Sequence, residues 1–105
     1  MKTAKAKATL TRTVKSNTSA YRDGTIWSCK KYFPVKIVNG HPGDVVSLRL
    51  GYQTYSFTLP SYTTSSHTHT FYTSCTIGNY TSATITVKNT YGQTLCTKYD
   101  SWTWN

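Results

Sequence analysis

Glutamate is absent from this chain, and its acidic residues are only Asp23, Asp44 and Asp100. Glycosidase-type chemistry needs two carboxyl groups at a set separation, which three scattered aspartates do not offer. Charged residues fill 14% of the 105 positions, roughly half the usual share. No apolar run approaches the roughly 18 residues of a membrane-spanning helix. Residues 1–5 lead into no apolar stretch, so no signal peptide is expected in this chain. A Gly-x-Ser-x-Gly elbow and a Gly-rich phosphate loop are both missing. No His follows Cys75 or Cys96, which excludes a copper loop built from clustered Cys, His and Met. These gaps point away from an enzyme, and no cofactor is expected.

What the chain has in excess is Thr (21), Ser (11) and Tyr (9). β-branched and aromatic side chains favour the pleated sheet, whereas Ala and Leu are scarce beyond the first ten residues. The expected fold is all-β: a compact antiparallel β-sandwich of Greek-key or immunoglobulin-like type, with seven to eight short strands. A small β-barrel is the second choice. Length suits a single domain over residues 1–105. Its parts are a basic edge strand or arm at 3–14, a core at 25–99 and an aromatic tail at 100–105.

Period-two alternation supplies the strands. Ala4, Ala6, Ala8 and Leu10 share one face of residues 3–14, with Lys5, Lys7, Thr9, Thr11 and Thr13 on the other. Residues 17–20 read as a loop, and Asp23 with Gly24 as a turn. Residues 25–33 read as a strand carrying Trp27, Cys29 and Phe33 inward, interrupted by Pro34 and resumed at 35–38. Residues 39–44 are all turn formers. Val46, Leu48 and Leu50 form the next inward stripe, followed by Tyr55, Phe57 and Leu59. Residues 67–77 place His67, His69, Phe71, Cys75 and Ile77 on one face. Ala83, Ile85 and Val87 give the clearest stripe. A short hairpin loop at 89–92 then leads to a last strand at 94–99.

Positive charge is concentrated at one end. Nine of the twelve Lys and Arg residues fall between Lys2 and Lys36, opposed only by Asp23. A one-signed field repels itself, so such an excess implies an anionic partner. The candidate polyanion contacts are Lys2, Lys5, Lys7, Arg12, Lys15, Arg22, Lys30, Lys31 and Lys36. Trp27, Tyr99, Trp102 and Trp104 are candidates for an aromatic platform on which rings stack, although Trp burial is the commoner use. His67 and His69, with His41, have the residue type and spacing of a metal site, but no carboxylate stands by to orient them. No metal is therefore favoured there. Three cysteines leave at least one unpaired within a monomer. Parity puts Cys29 and Cys75 on inward faces, so a bridge between the sheets is expected there although sequence does not fix connectivity, with Cys96 free or intermolecular.

The expected function is a small cationic, exported, non-catalytic β-domain that binds an anionic or glycan surface and acts as an antimicrobial or toxin-like protein. Cell-wall polymer, membrane surface and nucleic acid are the partner classes. The alternative is a structural subunit of a virus, phage or extracellular filament. Its basic N-terminal strand would contact nucleic acid or self-assemble with a neighbour. A His-site metalloprotein comes third. The Thr- and Ser-rich composition fits an extracellular or particle-surface location.

Overall fold

The computed structural model describes residues 17–61 and 65–104. Seven strands run in order: β1 (Ser19–Arg22), β2 (Tyr32–Val38), β3 (Val45–Leu50), β4 (Gln53–Thr58), β5 (Ser66–Tyr72), β6 (Ser82–Lys88) and β7 (Thr94–Ser101). All pairings are antiparallel. They form a three-stranded sheet, β1-β2-β5, and a four-stranded sheet, β4-β3-β6-β7. The result is a β-sandwich, not a closed barrel. β2 lies beside β5 and β3 beside β6, the interlocked pairing of the immunoglobulin-like Greek key. One strand departs from the constant-type layout: β4 joins β3 in the larger sheet instead of β5.

Alternation decides which side chains meet between the sheets. β2 sends in Phe33, Val35 and Ile37, β3 sends in Val46, Leu48 and Leu50, and β6 sends in Ala83, Ile85 and Val87. With Phe71, Leu59 and Ile77 they make one cluster drawn from both sheets. Each fully buried Leu, Ile, Val or Phe contributes about 1.5–3 kcal/mol. The β3–β4 hairpin turns through Gly51 and Tyr52, and Gly51 takes the positive φ (60°) that tight hairpin turns demand. Asp44 is buried at the end of the β2–β3 connection, where its Oδ2 accepts the His41 backbone N–H at 2.9 Å. The Asp44 N–H in turn donates to His41 O at 3.0 Å and closes the turn.

Four expectations differ. Ser19 and Ala20, expected in a loop over 17–20, belong to β1, which pairs with β2. Residues 25–31 form a connection, not a strand, because their polar backbone groups pair with another connection: Ile77 N–H with Lys30 O (2.8 Å), Gly78 N–H with Ser28 O (3.0 Å) and Thr73 N–H with Lys31 O (2.7 Å). Pro34 sits inside β2 with its ring on the outer face, so it does not interrupt the strand. The strand expected over 67–77 ends at Tyr72, and a 3-10 turn at Ile77–Asn79 follows. The arm expected at 3–14 lies outside the described residues.

Candidate binding groove on the outer face of the second sheet

The positions of β3 and β6 that alternate with the core stripe face outward, and nearly all of them are hydroxylic or basic. Register aligns them in rungs across the four strands. Thr54, Arg49, Thr84 and Tyr99 are successive cross-strand partners, as are Ser56, Ser47, Thr86 and Thr97. Strands lie about 4.8 Å apart, so a rung spans about 14 Å, and rungs two residues apart are separated by about 6.8 Å. Ser47, Arg49, Thr54, Thr84, Thr86, Lys88 and Tyr99 line an open groove of about 410 Å³ on this face.

Both charged residues of the groove are cations. Arg49 donates from Nε to Gly51 O at 3.1 Å. That bond fixes the side chain and leaves the two terminal nitrogens, the fork that recognises carboxylate or phosphate, without a partner among the described residues. Tyr99 is 78% exposed and closes one end of its rung with a flat ring. None of the three aspartates lines the groove: Asp44 is buried, Asp100 faces β1, and Asp23 follows β1. The lining also holds no imidazole or thiol.

Charge counting along the chain overlooks Arg49 and Lys88, because the segment beyond Lys36 is almost neutral. The cations expected to matter are placed elsewhere. Lys2, Lys5, Lys7, Arg12 and Lys15 lie outside the described residues. Lys30 and Lys31 are exposed in the β1–β2 connection, and Lys36 is half-buried on the outer face of the first sheet, opposite Tyr21. Arg22 points between the sheets, where Nε donates to Asp100 Oδ2 at 2.6 Å and the guanidinium lies 5.6 Å from the Trp102 ring centre.

The four aromatics expected to form one platform do not gather. Trp27 is 62% exposed in the β1–β2 connection. Trp102 and Trp104 are half-buried against the core, and both indole N–H groups donate to Tyr80 O, at 3.0 and 2.6 Å. Trp102 also packs on Phe33, with ring centres 5.8 Å apart. Of the four, Tyr99 alone lines the groove.

His67 and His69 do share the inner face of β5, but both stack on Phe57 of β4, at 5.5 and 3.7 Å between ring centres. His41 lies in the β2–β3 connection, and no group of three His, Cys, Asp or Glu side chains able to hold a metal occurs among the described residues. Burial, and then the charge of His67, lower the His69 pKa. The expected Cys29–Cys75 disulfide is not formed: all three cysteines are free thiols. Cys29 is exposed in a connection instead of facing inward on a strand, and the Cys75 thiol lies 2.8 Å from the Tyr80 hydroxyl. Cys96 is half-buried on β7.

Compared with protein-family models, with curated proteins and with solved structures, the chain finds no match.

Proposed function

We propose that this chain is a non-catalytic binding domain that holds an anionic glycan across the outer face of its second sheet. The observation that carries the reading is the rung of Thr54, Arg49, Thr84 and Tyr99 with Lys88 nearby in the same groove. The Tyr99 ring offers a flat apolar surface to a sugar ring, the threonine and serine hydroxyls match sugar hydroxyls, and Arg49 and Lys88 meet the acidic groups. A formal net charge of +9 would speed the approach of such a polymer.

Calorimetry with a uronic-acid polysaccharide, its neutral counterpart and single-stranded DNA tests this. The acidic polysaccharide should bind best, and its binding should survive moderate salt better than that of DNA. Arg49→Ala and Tyr99→Ala should each weaken it by about tenfold, the loss expected from one charged or stacking contact. Equal binding of DNA and acidic polysaccharide, with both variants unchanged, would overturn the reading in favour of unspecific charge attraction.

A further inference from the structure

Among the described residues the sandwich has four edge strands, and its two sides are built differently. On one side β1 is only four residues long and is tied to β7 by Arg22 and Asp100. β7 carries Lys98, and its pairing with β6 shifts register between Val87–Cys96 and Lys88–Thr94. Short strands, charges and bulges are the devices that stop a foreign strand from pairing with an edge.

The other side has none of them. β5 pairs with β2 over seven residues in unbroken register and contains no Pro, Lys, Arg, Asp or Glu. β4 beside it is equally regular. No described strand pairs with the outer edge of either. Beneath the β5 edge, His67 and His69 are only half-buried over Phe57.

We propose that the β5 edge accepts residues 3–14 of a second copy of this chain as an added strand. Sixteen residues precede Asn17. At about 3.3 Å per residue they reach about 50 Å, whereas a strand matching β5 needs about 23 Å. Their alternation suits the edge. Ala4, Ala6 and Ala8 are small enough to lie over the half-buried histidines and Phe57. Lys5 and Lys7 would turn outward beside Ser66, Thr68 and Thr70, where β5 has no cation to repel them. To reach its own β5 a chain's segment would have to pass around β1 and β2, at an end already tied by Thr18 Oγ1 to Asn39 O (2.8 Å) and Asn39 N–H to Ser65 O (2.7 Å), whereas a second copy's segment meets the edge directly. Main-chain pairing gives the affinity, and alternate side chains give the register.

Light scattering of the full chain over a concentration series, at low and high salt, reads the outcome together with hydrogen exchange. Wild type should associate with rising concentration and stay associated at high salt, because backbone pairing is not screened as surface charges are. The amides of Ser66–Tyr72 that point away from β2 should slow by at least about tenfold on association. The double variant Ala6→Pro, Ala8→Pro should be monomeric, with the melting temperature of dilute wild type and no such protection. A wild type that is monomeric throughout overturns the proposal, as does assembly that ignores the prolines or protection that falls on β4 or β7. A monomer with protected β5 amides assigns the edge to the chain's own segment and also overturns it. Arg49→Ala and Tyr99→Ala should leave association unchanged, so failure here and failure of the glycan reading are separable.

Discussion

Arg22 on β1 and Asp100 on β7 join the two sheets: Nε meets Oδ2 at 2.6 Å, and a terminal nitrogen lies 3.4 Å from Oδ1. Their side chains are 26% and 15% exposed, so removing either one strands a half-desolvated charge. Arg22→Ala and Asp100→Ala should each cost about 1–3 kcal/mol, and the double variant should cost less than the two together. Denaturant midpoints at unchanged slope give these values. Were Arg22 held in reserve for an external polyanion, Arg22→Ala would weaken binding and spare stability. The contact predicts the reverse.

Trp102 and Tyr99 should separate stability from recognition. Trp102→Ala loses the packing on Phe33 and one of the two indole bonds to Tyr80 O, a loss of about 2–4 kcal/mol. Its affinity for an acidic polysaccharide should stay within about twofold, whereas Tyr99→Ala should lose affinity with little change in melting temperature. Thermal melts and calorimetry on the same two variants decide it.

Acid should weaken the fold through His69. Burial and neighbouring His67 hold its pKa below the ordinary 6.5. Above that value neither the folded nor the unfolded chain is protonated there, and the residue adds no pH dependence. As the pH falls below 6.5 the unfolded chain takes up the proton first, so stability drops until the folded imidazole is protonated as well. His69→Phe keeps a ring against Phe57 and should flatten that part of the stability–pH curve, measured by denaturant titration. An equally steep curve in the variant would assign the dependence to another group.

Gly78→Ala tests the junction between the two connections at the end of the sandwich. An added Cβ would lie 2.9 Å from Ser28 O and 3.0 Å from Ser28 Cβ, while Gly78 N–H donates to that same oxygen. The backbone must move apart, at a cost of about 1–3 kcal/mol. Faster hydrogen exchange at Ile77 and Gly78, with the β3 and β6 amides unchanged, is the expected signature.

Thiol alkylation should follow exposure. Cys29 is exposed and should react first, Cys75 is half-buried beside the Tyr80 hydroxyl, and burial raises the Cys96 pKa and lowers its thiolate fraction. Mass spectrometry over time gives the order. Recovery of Cys29 and Cys75 as a linked pair from freshly purified protein would contradict the free thiols.

Sequence pattern reveals much of this fold where a strand is half-buried and regular. Val46, Leu48 and Leu50 against Ser47 and Arg49, and Ala83, Ile85 and Val87 against Thr84 and Thr86, have one reading each, because a one-residue slip would put every aliphatic in water. The pattern misleads at residues 25–33. There Trp27, Cys29 and Phe33 share parity, yet Ser28, Lys30 and Lys31 owe their conformation to hydrogen bonds with Thr73, Ile77 and Gly78, which local alternation cannot express. The groove was hidden for a related reason. Arg49 and Lys88 are far apart in the chain, and β3–β6 pairing alone puts them on one face.

The rungs of the second sheet have a consequence for how such a protein can change. Its two sets of side chains are interleaved one by one: Val46, Leu48, Leu50, Ile85 and Val87 hold the sheets together, while Ser47, Arg49, Thr84, Thr86 and Lys88 face the groove. A substitution in the second set touches almost nothing in the first. Selection could therefore rewrite what this face holds, one residue at a time, at almost no cost to folding.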